Sequence, residues 1–146
     1  MYKSDLFDEK TFYKAFLADL EASHTEVIIE SPFVTSKRMK TLWPSFRGLV
    51  KRGVKTYIVT RDPQDHTERY EEQSEAEIQA LEAIGIQVWL CRGNHHRKLS
   101  IIDREILWEG SLNILSQMKS REIMRRLEGG GFAEDLFHFL RYKKYL

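Results

Sequence analysis

The stretch that decides both the fold and the site of this chain is HRKLSIIDREILWEGSLN, residues 96–113. It contains a β-branched, apolar run, KLSIID, and a second strand-like run, Glu105 to Trp108, so the junction at Asp103 is expected to be a hairpin turn. His96 and Lys98 are two residues apart, and in an extended chain both side chains leave the same face. A nucleophile and a cation would then lie near the Gly-Ser-x-Asn segment, where glycine lets backbone approach a ligand and the asparagine amide offers donors. The pattern predicts an anion-binding site carried by a β-hairpin.

Written in full, the pattern is H-x-K-x4-D-x6-G-S-x-N, and it resembles the signature of the phospholipase D-like superfamily. The run VIIESPFV, residues 27–34, is also similar to the first core strand and following turn of that family. The resemblance implies an α/β fold, with one phospholipase D-like nuclease domain over residues 1–146 and a central mixed β-sheet flanked by helices on both faces. The motif positions are filled by His96, Lys98, Asp103, Gly110, Ser111 and Asn113.

The resemblance implies a chemical role for most of these residues. In the family the motif histidine attacks phosphorus to give a covalent phosphohistidine, and the histidine of a second motif protonates the leaving oxygen and then activates water. His96 fits this position, and an imidazole with an unperturbed pKa of about 6.5 suits both tasks at neutral pH. Lys98 and Asn113 are expected to bind nonbridging phosphate oxygens, Ser111 to add a hydroxyl contact, and Gly110 to make room. No metal and no other cofactor is expected.

Two acidic residues carry separate expectations. Asp103 is five residues beyond Lys98 and alternates to the opposite face of a regular strand, which favours a structural hydrogen-bonding role. Glu122 resembles the downstream acid that orients the motif histidine in short nuclease members, because a carboxylate partner fixes the tautomer and raises the basicity of the ring. The alternative for Glu122 is an ordinary surface ion pair with Arg121 or Arg125.

The number of motif copies sets the expected assembly. Known catalytic centres of the family combine two motifs, and this sequence contains one, so the resemblance implies a homodimer with the active site across its two-fold axis. Short single-motif members are typically nonspecific nucleases. The sequence therefore predicts a metal-independent endonuclease acting on nucleic acid, with DNA favoured over RNA.

Three other functions remain open from the sequence. The first is a lipid phosphodiesterase or phosphatidyltransferase, which the family also contains. The second is a nucleic-acid-binding module without turnover, against which the intact motif argues. The third is the nuclease subunit of a larger defence or repair complex, in which an ATPase or helicase partner controls access.

Composition is that of an ordinary globular domain, with 42% hydrophobic and 31% charged residues and a net charge of +1. The apolar runs are far too short to span a membrane, and the N-terminus has no apolar signal-peptide core, so we expect a cytoplasmic protein without membrane partners. The single cysteine, Cys91, excludes an internal disulfide.

Charge is unevenly distributed along the chain. The segment from Asp62 to Glu82 is acidic, whereas the motif-bearing segment from Arg92 to Arg126 is rich in arginine and lysine. Because cationic side chains supply most sequence-independent affinity for nucleic acid, a basic rim around a phosphodiester site is expected of a nuclease. The alternative is a solvated surface of mixed charge, since acidic residues are interspersed.

Periodicity and turn residues predict alternating strands and helices. A strand–helix–strand–helix–strand order favours parallel pairing, followed by the motif hairpin. The predicted helices span residues 8–22, 37–52 (with a kink or restart at Pro44), 74–83 and from 133; the strands span 26–30, 54–60, 86–90 and 122–127; residues 61–73 are a loop and 129–131 a Gly-Gly-Gly hinge.

Other residues carry weaker signals. His95 would point away from His96 in an extended chain and is expected to pack or lie at the rim. Ser31 and Thr35 follow the first predicted strand and are candidates for lining the cleft. Two groups have metal-ligand residue types without a recognised spacing, so no metal site is predicted from them: Cys91 with His95 and His96, and Asp62 with Asp65 and His66.

Overall fold

The computed structural model describes residues 1–65, 74–117 and 119–146. Within these ranges the chain forms seven strands and four α-helices. The strands are β1 (Tyr2–Asp8), β2 (Glu26–Glu30), β3 (Lys55–Arg61), β4 (Gln87–Cys91), β5 (Leu99–Ile102), β6 (Ile106–Gly110) and β7 (Ile123–Gly129). The helices are α1 (Phe12–Ala22), α2 (Ser36–Lys51), α3 (Glu75–Ala83) and α4 (Phe132–Phe139), and a 3-10 turn follows at Tyr142–Tyr145.

All seven strands belong to one mixed sheet, in the order β1-β7-β6-β5-β2-β3-β4. β2, β3 and β4 are parallel, as the strand–helix alternation predicted, whereas the pairs β2–β5, β5–β6, β6–β7 and β7–β1 are antiparallel. The predicted α/β architecture with a central mixed sheet is confirmed. The strand that follows the motif histidine, β5, is the middle strand of the sheet.

Hydrophobic side chains alternate between two cores, one on each face of the sheet. In β2, for example, Val27 and Ile29 face the core under α1, α2 and α3, and Ile28 faces the core under α4. This alternation follows from the two-residue period of a strand, and it confirms helices on both faces. Within the described ranges, no helix has the length and apolar character needed to cross a membrane.

Most predicted elements are present, with ends displaced by one or two residues. α2 continues through Pro44 from Ser36 to Lys51 without the predicted interruption. α3 begins after Ser74, whose hydroxyl accepts a hydrogen bond from the Glu77 N–H at 3.3 Å and so caps the helix. Of the predicted loop over 61–73, residues 66–73 lie outside the described part of the chain, and Pro63–Asp65 form a 3-10 turn.

The prediction was wrong at the N-terminus. Residues 2–8 form β1, and the first helix begins at Phe12 rather than at Asp8. β1 is an edge strand with mostly exposed side chains, of which Phe7 packs against the core, so its sequence has little apolar alternation. Its pairing with β7, more than a hundred residues away, holds it in the sheet. No local sequence pattern predicts such a long-range pairing.

Candidate active site

The motif residues other than Asp103 lie at one edge of the sheet, formed by the ends of its strands. Antiparallel pairing places the carboxyl end of β2 beside the amino end of β5, as Glu30 pairs with Leu99, and β6 ends where β7 begins, as Gly110 pairs with Met124. β5 starts at Leu99, so the predicted strand KLSIID begins one residue late and both His96 and Lys98 precede it. Both nevertheless line one open cleft of about 670 Å³ at this edge.

The cleft combines cationic and apolar walls. Its floor and sides come from the start of β5, the paired ends of β6 and β7, β1 and the last turn of α4. The lining residues are Leu6, His96, Arg97, Lys98, Leu99, Glu109, Gly110, Ile123, Arg125, Leu136, Phe139 and Leu140. The cleft that contains His96 is therefore lined by three cationic side chains, one acidic side chain and several apolar ones.

Lys98 is directly adjacent to the motif histidine. Its ammonium group donates a hydrogen bond to the His96 carbonyl oxygen at 2.7 Å. Partial burial lowers the pKa of Lys98 below its usual value, while the negative charge of Glu122 opposes that shift. The structure thus brings a half-buried cation and the predicted acid, Glu122, to the same place.

Glu122 is held in position by its neighbours. Its carboxylate accepts a hydrogen bond from the Ser120 hydroxyl, and its backbone N–H donates to Glu9 Oε1 at 2.8 Å. The carboxylate is half-buried beside Lys98, directly before β7. Its charge therefore acts on the motif lysine, and the expected role of Glu122 in orienting His96 stays a prediction.

Gly110 has a structural reason for lacking a side chain. A Cβ atom there would lie 2.2 Å from the Ile123 carbonyl oxygen and 2.9 Å from the Met124 Cα. That space is filled by β7 itself, so close strand packing requires glycine here. The expectation that Gly110 makes room for a ligand stays a prediction. Ser111 serves the same junction, because its hydroxyl accepts a hydrogen bond from the Ile123 N–H at 3.0 Å.

Asn113 lies in the buried connection that follows β6. Its relative exposure is only 6%, and its backbone carbonyl accepts a hydrogen bond from the Ser116 N–H at 3.2 Å. Tyr13 from α1 anchors the same turn, since its hydroxyl donates to the Ile114 carbonyl oxygen at 2.7 Å. The predicted phosphate ligand is therefore fixed by its surroundings and reaches the surface through a small area.

The side chains of Ser31 and Thr35 hydrogen-bond to the connection that follows β6. The fully buried Ser31 hydroxyl accepts from the Leu115 N–H at 3.1 Å and donates to the Phe33 carbonyl, and the Thr35 hydroxyl accepts from the Gln117 N–H at 2.9 Å. Their hydroxyls hold the turn after β6. Both were candidates for lining the cleft, and neither belongs to its wall.

Asp103 lies at the opposite edge of the sheet, in the turn between β5 and β6. Its carboxylate accepts hydrogen bonds from the backbone N–H groups of His24, Thr25 and Glu26 at 3.1, 2.8 and 3.0 Å. Asp103 and Arg104 both have left-handed backbone angles, φ 53° and 52°, as a tight hairpin turn of this hand requires. The structure places the fixed aspartate of the motif in a structural position, remote from His96.

One buried carboxylate behind the motif was not anticipated. Glu30, at the carboxyl end of β2, has no exposed surface, and its Oε1 lies 2.7 Å from His95 Nε2 and 3.0 Å from Arg97 Nε. The Tyr142 hydroxyl donates to its other oxygen. A signal was available: an acidic residue ends an apolar strand, at the edge where functional side chains collect in α/β sheets.

No group of three or more histidine, cysteine or acidic side chains converges on a common metal position in residues 1–65, 74–117 and 119–146. One group considered from the sequence, Asp62 with Asp65 and His66, includes a residue outside that part of the chain. In the other group, His95 is engaged by Glu30.

Comparison with solved structures shows which known folds this chain shares. Its fold is similar to that of Nuc from Salmonella typhimurium, described as a phospholipase D family member, with TM-score 0.72 and 19% identity over 97% of this chain and 93% of that one. NucT from Helicobacter pylori aligns with TM-score 0.68 and 17% identity, covering 99% of this chain and 95% of NucT. Phosphatidylserine synthase from Haemophilus influenzae also aligns, with TM-score 0.68 and 11% identity, but 99% of this chain covers only 38% of that one.

A match to a family sequence model identifies the family. The family model described as "Cardiolipin synthase, PLD-like domain" matches residues 16–135, which is most of the chain. The chain belongs to the phospholipase D-like family, a family of phosphodiester hydrolases. No curated protein sequence matches it.

Proposed function

We propose that the protein is a metal-independent, nonspecific endonuclease that hydrolyses DNA through a covalent phosphohistidine at an active site shared by two copies of the chain. The observation that carries the proposal is the convergence of His96, Lys98 and Glu122 at one sheet edge, beside a cleft open to a phosphodiester. The proposal includes the cytoplasmic location and the single domain over residues 1–146 expected from the sequence.

The proposed reaction consists of two displacements at phosphorus. A ring nitrogen of His96 attacks, a nitrogen–phosphorus bond forms, and the bond to the leaving oxygen breaks as the second copy's imidazole donates a proton to that oxygen. The same imidazole then removes a proton from water, whose oxygen attacks phosphorus and releases His96. Lys98 and Asn113 would bind the nonbridging oxygens, the lysine through its positive charge and the asparagine through its amide donors. Glu122 would orient the imidazole of His96 and, through its charge, favour the ammonium form of Lys98.

Structural overlap favours a nuclease over the other activities that occur on this fold. This chain covers more than nine-tenths of NucT and of Nuc, but 38% of the phosphatidylserine synthase and 25% of a polyphosphate kinase from Porphyromonas gingivalis, which aligns with TM-score 0.69 and 13% identity over 95% of this chain. The nearly complete overlap with NucT and Nuc therefore supports the nuclease proposal. A lipid phosphodiesterase or phosphatidyltransferase is the second candidate, favoured by the cardiolipin synthase description of the matching family and by the apolar wall of the cleft.

Dimerisation has a surface available next to the site. Leu6, Ile123 and Phe139, with relative exposures of 59%, 57% and 80%, lie along the cleft that also contains His96. We call these three side chains the apolar rim. Burying it against a second copy would bring two His96 residues toward a common axis, as a site built from two single motifs requires. Control by an ATPase or helicase partner is compatible with either oligomeric state.

The test is cleavage of supercoiled plasmid, single-stranded DNA and RNA in excess EDTA, with wild-type protein and the His96→Ala variant. His24→Ala is the matched control, because His24 lies beside Asp103 at the opposite edge of the sheet. We expect DNA cleavage that survives EDTA, persists in His24→Ala and is lost by at least about a thousandfold in His96→Ala, as for removal of a nucleophile.

Two results would contradict the proposal. Cleavage that requires a divalent metal, or that survives in His96→Ala, would exclude the phosphohistidine mechanism. A folded dimer that cuts no nucleic acid but releases the headgroup from phosphatidylglycerol or cardiolipin vesicles would establish the lipid candidate instead.

A further inference from the structure

The segment that carries the motif histidine has no regular secondary structure of its own. Residues 94–98 lie between β4 and β5 and belong to neither. Its backbone is tied near its ends, where the His95 N–H donates to the Gly93 carbonyl at 3.0 Å and the Gly110 N–H donates to the Lys98 carbonyl at 3.4 Å. The position of His96 between these ties therefore depends on side chains.

Two side chains of the segment are anchored at a single buried group. His95 Nε2 and Arg97 Nε lie 2.7 and 3.0 Å from the same oxygen, Oε1, of Glu30. The His95 side chain is only 10% exposed, and the carboxylate of Glu30 is completely buried. His95 and Arg97, which precede and follow His96 in the chain, are thus both fixed to Glu30 at the end of β2.

The second oxygen of Glu30 links this anchor to the C-terminus. The Tyr142 hydroxyl donates to Oε2, and Tyr142 is buried in the core under α4. Burial alone raises the pKa of Glu30, but the close approach of His95, the hydrogen bond from Tyr142 and the charge of Arg97 outweigh burial and hold the pKa below its ordinary value. The carboxylate is therefore ionised at neutral pH, with both oxygens occupied.

We propose that Glu30 is a positioning residue for the phosphodiesterase reaction: by holding His95 and Arg97 it fixes the backbone of His96 and Lys98, and Tyr142 holds Glu30 in turn. This inference rests on the proposed function for its kinetic readout. Glu30 has no exposed surface and does not touch substrate. Its effect on the rate comes from the alignment of the nucleophile, and errors of about 1 Å in such alignment cost up to about a hundredfold in rate.

The chain offers a matched control on the same strand. Glu26, at the other end of β2, is also largely buried and is paired with Arg104 at 3.1 Å, remote from the motif segment. Glu30→Gln and Glu26→Gln therefore make the same chemical change at a buried glutamate of the same strand: the first acts on the pairs with His95 and Arg97, the second on the pair with Arg104. Tyr142→Phe perturbs Glu30 more gently and carries the test if Glu30→Gln fails to fold.

The experiment compares kcat and KM for bis(4-nitrophenyl) phosphate and for plasmid DNA at a temperature where all variants are folded by circular dichroism. We expect Glu30→Gln to lower kcat at least about tenfold with KM within about twofold, Tyr142→Phe to act in the same direction, and Glu26→Gln to match the wild type. Equal kcat in Glu30→Gln and Glu26→Gln would overturn the proposal.

A second readout separates this proposal from the proposed function. The Cε1–H resonance of His96, assigned by its loss in His96→Ala, should move in Glu30→Gln and Tyr142→Phe and stay unchanged in Glu26→Gln. If the wild type cleaves neither substrate, the proposed function fails while the resonance still reports the position of His96. An unmoved resonance in Glu30→Gln would overturn the positioning role whatever the activity.

Discussion

At the scale of single residues, the site couples a lysine and a glutamate of opposite charge. Burial lowers the pKa of Lys98, and Glu122 partly offsets this shift by stabilising the ammonium form. Because phosphate binding needs the charged form, affinity should fall as pH rises through the pKa of Lys98, at a lower pH than for an ordinary lysine with a pKa of about 10.4.

Replacing Glu122 therefore has a predictable sign. Glu122→Gln removes the charge that raises the pKa of Lys98, so that pKa should fall further and the alkaline loss of phosphate binding should move to lower pH. The measurement is an NMR titration of the Lys98 side chain. Glu109→Gln is the control, because Glu109 lines the same cleft and is exposed. A titration midpoint that rises or stays fixed in Glu122→Gln would contradict the coupling.

Gly110 allows a test of packing against binding. Gly110→Ala should destabilise the fold by about 2 kcal/mol or more, because its Cβ would overlap the Ile123 carbonyl and the backbone of Met124. Gly48→Ala is the matched control, since the nearest atom to its new Cβ is the flexible end of Arg52 at 3.2 Å and alanine favours a helix interior.

Urea unfolding measures the free energy of unfolding of both variants. A Gly110→Ala protein as stable as the wild type, but with weaker phosphate binding, would return Gly110 to the role expected from the sequence. Gly48→Ala is expected to change stability by less than about 1 kcal/mol.

At the scale of secondary-structure elements, the β5–β6 hairpin is fastened to the start of β2 by Asp103. Asp103→Ala should lower the free energy of unfolding by about 2–4 kcal/mol, because three backbone N–H groups lose an ionised acceptor. Chemical denaturation measures the loss. At temperatures where the variant remains folded its kcat should equal that of the wild type, and a large fall in kcat would show that Asp103 acts in catalysis.

The sequence predicted these elements unequally well. The motif hairpin and the parallel strands follow from local patterns: β-branched runs, turn residues and helix caps. β1 escaped prediction because it is stabilised by pairing with β7 rather than by its own residues. The contacts of Glu30 and Gly110 escaped prediction for a related reason, since their partners His95, Tyr142 and Ile123 are brought close only by the fold.

At the scale of the whole molecule, the proposed dimer depends on the apolar rim. Phe139→Glu should convert dimers to monomers and lower cleavage sharply, because a charge on a surface meant for burial carries a large desolvation cost. Leu90→Glu is the matched control. Leu90 is 48% exposed and lies on β4, the outermost strand on the side of the sheet away from β1 and β7. Sedimentation velocity at micromolar concentration measures the oligomeric state. A wild-type monomer that retains full activity would refute a shared site.

The place of β5 in the middle of the sheet has a kinetic consequence. Three strands lie on either side of it, so an amide proton of Ile101 can exchange with water only after its neighbours have separated. Fraying that starts at β1 or β4 leaves β5 paired with β2 and β6. Exchange at Ile101 should therefore follow the opening of the whole sheet, while exchange in β1 and β4 runs ahead of it on heating.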